Sequence, residues 1–445
     1  MAGRRPGSEV PTKVLYDISA LGMGYAEPGW RTGVYRAVES LGISLEQSGR
    51  CDLTLVAGEN FARLEQAWGY MAELGKFRAR TLPAPMGSRA RRPVYRKLQQ
   101  VHREVSEGVE AEPDQRFTLR LQRMFLYHLD QALSQFSTRT IPAKLLEGGT
   151  IYHSPFFPIP RQVRDLKAVK KFLTVYDLNP ILNPELFVAE NDRYLRRLVG
   201  GIELEDFTIV ISHATKRDLC EFRRDLDPER VFVTHLAAAE SFYPCHDPAL
   251  ERVVRAKYGV PHDVPYLLSI ATLSPHKNLS HLIRCFESLA EEGSVGDLHL
   301  VLAGGKGWQG EEVVRDATKS PRVRSRVIIT GYVADEDLSP LYSGALAFVF
   351  PSLYEGFGLP PLEAMRCGTP VISSNSSSLP EVVGDAGILI SPTDVDGLCD
   401  AVLRVYQSAE LRADLGTRSM ARASHFSWEK CADETLNAYT AASAL

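Results

Sequence analysis

The chain has 445 residues, 24% of them charged and 44% hydrophobic, and its 51 basic and 55 acidic side chains leave a net charge of −4. That length allows two or three domains with substantial cores, and a nearly balanced charge supplies no whole-molecule field for nucleic acid or an anionic membrane. The longest strongly apolar run, at 345–351, is far shorter than the roughly 20 residues that span a bilayer, and the seven widely spaced cysteines contain no C-x-x-C pair. A disulfide framework and a cysteine zinc site are therefore not expected. The start, MAGRRPGSEVPTK, has two arginines with no apolar stretch behind them, so no signal peptide is read there and a cytoplasmic location is expected.

In chain order, a polar segment to residue 11 precedes β-type runs at 14–18, 53–57, 150–153, 172–176, 208–212 and 231–236, with helical periodicity between them, as at 33–47 and 214–224. A tighter series follows, with strand-like runs at 266–270, 298–303, 327–330, 347–351, 370–373 and 388–390, and helices predicted at 278–292 and 360–367. Short β-branched runs alternating with helices indicate βα units and parallel sheets. The Pro- and turn-rich segment 239–265 reads as the joint between two doubly wound domains. A ligand is then expected in the crevice at the carboxyl ends of the strands.

One stretch departs from this alternation. Residues 76–103 carry nine Lys or Arg and no Asp or Glu, followed by helical stretches with acidic residues at 104–114 and 119–135. The plain reading is a solvated segment. The functional one is a docking face for an anionic partner such as a lipid surface, a polysaccharide or a phosphorylated carrier.

The chemistry concentrates in residues 348–381, FVFPSLYEGFGLPPLEAMRCGTPVISSNSSSLPE. A buried strand ends at Pro351, a glycine-rich turn holds Glu355, and a helix opens at Pro360–Pro361, where proline is tolerated because the first amides lack partners. Gly356 and Gly358 admit close backbone approach, and the helix N-terminus attracts an anion. Glu355 and Glu363 would border that pocket, with Glu363 expected in the first turn. A carboxylate beside a phosphate site suits sugar hydroxyls rather than the phosphate itself.

These residues, Glu355-Gly-Phe-Gly-Leu-Pro-Pro-Leu-Glu363 and the Ala364-Met-Arg-Cys-Gly-Thr-Pro-Val371 that follows, resemble the paired-glutamate motif of glycosyltransferase family 4. Ser269-Ile-Ala-Thr-Leu-Ser-Pro-His-Lys-Asn278 is similar to that family's phosphate loop, and Leu300 to Trp308 and Gly331-Tyr-Val333 to its later nucleotide-side loops. Phe426-Ser-Trp-Glu429 is similar to the start of its terminal helix. Looser matches are Arg31-Thr-Gly-Val-Tyr-Arg36, Tyr152-His-Ser-Pro155, Val175-Tyr-Asp-Leu178 and Ile211 to Lys216. The likeness covers about 12–440 and leaves out the basic stretch.

The resemblance implies an α/β GT-B fold: two Rossmann-like domains facing across a cleft, with a C-terminal helix crossing back to the first. The expected boundaries are 12–240, with the insertion at about 76–135, then 241–426 and 427–445. It implies retaining transfer of a sugar from a nucleotide-sugar donor to a saccharide, lipid-linked or protein acceptor, with no cofactor, no metal and no nucleic acid. Glu355, His153 and Lys277 would act at the reacting centre. Lys277 would neutralise the diphosphate, Glu355 would hold the donor sugar with the amides around Gly356, Phe357, Gly358 and Leu359, and His153 would reach across the cleft. Glu363 would bind the ribose and the backbone near Val333 the base. Thr272 and His276 stand where relatives often carry arginine, so help from Arg31 or Arg36 is expected beside Gly33 in the first-domain loop. Tyr176-Asp177 replaces a His-Asp pair.

The form Pro275-His-Lys-Asn278 resembles members using GDP-mannose or related deoxysugar donors. Polysaccharide biosynthesis is the implied setting; the functional reading of 76–103, which lies outside the likeness, adds peripheral contact at the inner face of the membrane. A sugar-nucleotide 2-epimerase, a pyridoxal-phosphate phosphorylase and an inactive sugar-nucleotide sensor are the alternatives on this fold. The intact glutamate pair with Lys277 favours the transferase. Weaker signals have plainer readings. Gly305-Lys-Gly-Trp-Gln-Gly310 lacks the acidic residue a dinucleotide fingerprint needs, and Asp225-Leu-Asp227 and Asp394-Val-Asp396 read as helix caps rather than metal ligands.

Overall fold

The computed structural model describes residues 11–27, 33–78, 82–83, 139–305, 307–317, 319–320 and 323–444, with isolated positions between 93 and 124. Arg31 and nearly all of the basic stretch and its following helices lie outside the described residues. At the edge of that stretch, Lys76 Nζ is 2.8 Å from Glu39 Oε2, and the Arg78 amide donates to Glu46.

Among the described residues the strands form two six-stranded parallel sheets. The first is ordered β2-β1-β3-β4-β5-β6, from β1 (Thr12–Asp17), β2 (Cys51–Val56), β3 (Ile151–Ser154), β4 (Lys170–Val175), β5 (Phe207–Val210) and β6 (Val231–Val233). The second is ordered β12-β11-β10-β7-β8-β9, from β7 (Tyr266–Ile270), β8 (His299–Ala303), β9 (Val327–Gly331), β10 (Ala347–Phe350), β11 (Val371–Ser374) and β12 (Ile388–Ile390). Each expected strand is present, and β3, β5, β10 and β11 are buried along their whole length, as parallel strands covered on both faces must be. In the first sheet the strand order reverses between β1 and β3, and in the second between β7 and β10. Loops leaving these pairs part to opposite faces and open a crevice at the carboxyl edge.

Five helices shape that crevice: α1 (Gly33–Ser48), α2 (His213–Phe222), α3 (Leu279–Glu291), α4 (Leu359–Arg366) and α5 (Trp428–Ala444). The fifth strand run stops short of its expected end because Ser212 is the N-cap of α2, its hydroxyl accepting from the Thr215 amide at 3.0 Å. The joint at 239–265 is more ordered than its composition suggested. Asp247 caps a helix at Pro248–Lys257, and Lys257 and Tyr258 both bond Asp337 of the second domain.

α5 packs on α1 of the first domain, not on the domain that precedes it in the chain. Arg50 pairs with Asp433 at 2.7 Å, Lys170 Nζ donates to the Ala442 carbonyl, and the Tyr439 ring meets Phe172 edge-on. The apolar cluster around Tyr16 and Tyr439 continues through Phe357 and Phe426 to Tyr342, so it spans the two domains, each of which also has a cluster of its own. Among the described residues no helix is long and apolar enough to cross a membrane.

Candidate active site

The loops leaving β7 and β10 bring together the two side chains that are 78 positions apart in the chain. After β7, a single helical turn at Pro275–Lys277 ends at Asn278, which adopts a left-handed backbone (φ 55°) and donates its amide to the Pro351 and Pro392 carbonyls. That fixes the turn against the β10 loop and aims Lys277 inward. Lys277 Nζ lies 2.6 Å from Glu355 Oε1, with both side chains mostly buried, and stands 5.4 Å from the centre of the Phe350 ring. Ser352 Oγ donates to the same carboxylate oxygen at 2.6 Å.

The Glu355 backbone is held as firmly as its side chain. Its amide is 2.8 Å from Ser377 Oγ, and its carbonyl accepts from Ser377 and Ser378 at 2.9 Å. The serine run that followed the motif in sequence is thus the brace of the loop. Gly358 at φ 114° caps α4, and a Cβ there would also meet Leu379 at 2.8 Å. The N-terminus of α4 then opens toward the first domain, where Leu359 faces Gly33 at the start of α1.

Across the crevice stands the turn after β4. A Cβ on Gly356 would lie 2.4 Å from the Tyr176 carbonyl oxygen and 2.9 Å from Asp177 Cβ, so only glycine permits this approach. Thr215 of α2 donates to Tyr176 or Gly356 carbonyls, Asn179 donates to the Tyr354 carbonyl, and the Tyr354 hydroxyl donates to Asp218. Burial raises the Asp177 carboxyl above its ordinary value and nearby Glu355 adds to this, while the Asn179 amide, which donates to its Oδ1, and the Lys277 charge oppose it. Asp177 therefore faces the Lys277–Glu355 pair from the other domain.

Glu363 lies in the second turn of α4 rather than the first, and it is buried. Its oxygens meet the Tyr342 hydroxyl at 3.0 Å and the Arg36 guanidinium at 3.6 Å, and burial pushes its carboxyl up against the opposing pull of Arg36 and Tyr342. Arg36 reaches from α1 to Glu363 and to Asp335 at 3.9 Å. Its partners are at the Glu363 end of the crevice, which corrects the expectation that it serves the phosphate loop beside Lys277. Val333 is buried just beyond β9, while its neighbour Tyr332, to which the sequence reading gave no role of its own, is 75% exposed.

His276 stacks on Phe187 with ring centres 4.8 Å apart, and burial followed by the Lys277 charge lowers its pKa to about 4. It is neutral near pH 7 and contributes its carbonyl, which accepts from the Leu353 amide at 2.8 Å. Thr272 is exposed at the end of β7. The Gly305–Gly310 turn is pinned to the same loop, Leu273 N donating to Gly305 O and Gly307 N to Leu273 O. Asp227 and Asp394 cap helices, as expected of them.

His153 requires a correction. It is wholly buried in β3, its Nδ1 is 2.6 Å from the Tyr439 hydroxyl and its Nε2 2.8 Å from Thr174 Oγ1, with Tyr16 and Phe172 edge-on around it. Both nitrogens are committed, so it fastens α5 to the first sheet and does not reach the crevice. Its strand-end context carried no information about which way the ring turns. Burial lowers its pKa from 6.5 to about 3. The unfolded chain therefore binds the proton first. The stability that depends on neutral His153 is complete above pH 6.5 and declines as pH falls toward 3, by about 1.4 kcal/mol per unit. Urea unfolding of His153→Asn is expected to show about 2 kcal/mol lower stability at pH 7, a shallower loss between pH 6 and 4, and unchanged kcat/KM in the folded protein.

Residues 251–422 match the family described as Glycosyl transferases group 1. The O-antigen chain mannosyltransferase B of Escherichia coli is 36% identical over 293 residues, which are 65% of this chain and 74% of that protein. The chain belongs to the group 1 glycosyl transferases. The serotype-specific mannosyltransferase WbdA of Escherichia coli is 32% identical over 276 residues, 61% of this chain and only 33% of that longer protein. In fold, this glycosyltransferase is similar to sucrose-phosphate synthase from Thermosynechococcus elongatus, with TM-score 0.61, 18% identity and 97% and 98% of the two chains covered. It is similar also to WaaG, a glycosyltransferase of lipopolysaccharide biosynthesis, with TM-score 0.56, 14% identity and 91% and 95% covered. The two-domain GT-B architecture is therefore that of this glycosyltransferase.

Proposed function

We propose that this glycosyltransferase transfers a mannose-like hexose or deoxyhexose from a GDP-sugar to a growing saccharide, with retention of anomeric configuration and without a metal in the reaction. The observation that carries the reading is the Lys277–Glu355 pair at the point where the strand order reverses, beside the N-terminus of α4. Lys277, the Leu359 amide and the positive dipole end of α4, whose next two residues are prolines without an N–H, stabilise negative charge on the departing diphosphate, the effect that dominates a reaction whose leaving group gains charge. Glu355 accepts from hydroxyls of the donor sugar. Glu363 exchanges its contact with Arg36 for the ribose hydroxyls. No protein nucleophile is assigned. The acceptor hydroxyl attacks on the face that the nucleotide leaves, and the departing phosphate takes its proton.

The mannosyltransferases among the relatives support the sugar, and the Pro-His-Lys-Asn form of the phosphate loop supports the base. The O-antigen chain relative supports a polysaccharide or lipid-linked saccharide as acceptor, met at the inner face of the membrane, and the nine basic residues of 76–103 support contact with an anionic surface. A panel of nucleotide sugars, scored by thermal shift and by slow donor hydrolysis, is expected to select GDP-mannose or a GDP-deoxysugar. Turnover is expected to survive a chelator, and the product anomer read by NMR is expected to match the donor's. Selection of a UDP-sugar, an inverted product or loss of turnover with chelator would each overturn the corresponding part.

A further inference from the structure

Outside the donor pocket, three ligand-type side chains from distant parts of the chain converge on the domain seam. His213 opens α2, His235 follows β6, and Glu381 lies in the short helix Leu379–Val383 of the second domain. One ligand atom from each lies within 4.8 Å of the others. His235 Nε2 stands 3.4 Å from Glu381 Oε2. That is long for a hydrogen bond to a carboxylate, usually about 2.7–2.9 Å. It is close to the roughly 3.3 Å edge of a tetrahedron whose ligands sit about 2.0–2.1 Å from a zinc ion.

The groups around the three residues hold them in place. Both oxygens of Glu381 already accept backbone amides of the opposite domain, from His213 at 2.9 Å and Ala214 at 3.1 Å. A carboxylate ligand is normally anchored in this way by outer hydrogen bonds, and each oxygen retains a lone pair for an ion. His235 is set between Phe357 and Phe426, with ring centres 6.1 Å and 5.9 Å away, and its amide donates to Glu434. Arg422, the cation of this neighbourhood, is spent on the carbonyls of Glu381 and Val382. The ring planes of His213 and His235 are 57° apart with centres separated by 5.5 Å, so the two imidazoles converge rather than stack.

We propose that His213, His235 and Glu381 form a binding site for a divalent transition-metal ion of the zinc type, which links the two domains. Two imidazoles and one carboxylate suit zinc, nickel or copper and discriminate against magnesium and calcium, which favour oxygen ligands. Three protein ligands leave a fourth position for water. The ion takes no part in sugar transfer, so the inference stands apart from the proposed reaction. It reaches the donor loop through Phe357, which lies between Glu355 and Gly358 and touches His235, so occupancy of the site and the set of that loop are mechanically joined.

The test is titration of the full chain with Zn²⁺ alone, against a chromophoric chelator, together with thermal unfolding. One equivalent is expected to bind and raise the Tm, and Mg²⁺ is expected to do neither. His213→Asn is the safest variant, because His213 is exposed and its backbone amide remains to bond Glu381. It is expected to weaken Zn²⁺ binding at least about tenfold, and His213→Asn with His235→Gln to abolish the Tm shift. Co²⁺ in place of zinc is expected to give a tetrahedral visible spectrum without a thiolate band. Equal zinc affinity in the wild type and His213→Asn, or a thiolate band showing that cysteines hold the ion, would overturn the proposal.

Discussion

Lys277→Ala is expected to lower donor turnover about 10²–10³-fold, the loss typical when one preorganised group facing developing charge is removed. The ammonium is held within 2.6 Å of Glu355 and over the Phe350 ring before any donor arrives, so little reorganisation accompanies the reaction. Part of the effect of the substitution falls on the folded state. Glu355, with a side chain 13% exposed, would be left with only Ser352 to answer its charge, at a cost of about 1–3 kcal/mol. A second substitution separates the two contributions. Lys277→Ala combined with Glu355→Gln is expected to regain most of the lost stability while turnover stays low. Thermal unfolding and initial rates on the same preparations give both values. Recovery of turnover in the double variant would mean that Lys277 acts only by neutralising Glu355.

Gly356→Ala is expected to reduce kcat about 10²-fold or more and to leave nucleotide affinity within a few-fold. The added methyl meets the Tyr176 carbonyl oxygen at 2.4 Å, and backbone cannot turn aside as a side chain can. The obstacle belongs to the first domain, whereas Lys277, Glu355, Glu363 and α4 belong to the second. The nucleotide half of the pocket therefore keeps its shape while the seam is forced apart. An opening of about 1 Å between groups that must meet across a crevice is worth about 10²-fold in rate. Isothermal titration with GDP beside steady-state kinetics checks the division. If nucleotide binding falls as far as kcat, the second domain itself has been damaged and the account is wrong.

The strands were legible because parallel strands buried on both faces have to be written as short apolar runs, and each such run became a strand. Glu355, Gly356 and Gly358 were legible because a strand, a glycine turn and a proline-led helix leave few alternatives for the backbone. Lys277 was legible through its loop. What one dimension concealed was direction and partnership. His153 occupies a strand end where a ring turned outward would face the crevice, yet the place of Tyr439 beside Thr174 turns it inward, and Tyr439 is 286 positions away. Arg36 was read toward the phosphate because both are basic-site features, whereas Glu363 and Asp335 attract it to the other end. The convergence of His213, His235 and Glu381 had no sequence signal, since the three are joined only by the closing of one sheet's loops on another's. The helix at Pro248–Lys257 could have been found from Asp247 followed by proline, a regular helix start.

The bond between His153 and Tyr439 also bears on the order in which the protein is made. The first sheet is assembled from residues 12–233, but the helix that covers Phe172 and satisfies His153 begins at Trp428. A ribosome must therefore produce the whole second domain before the first can finish, and until then Tyr16, Phe172 and a polar histidine nitrogen stand open to water. Early chains are exposed in this way to association through that face, although the separate apolar cluster between Leu15 and Val233 is already complete on the other face of the first sheet. Removal of residues 428–444 is expected to injure the domain that is farthest from the cut in sequence and to spare the one beside it.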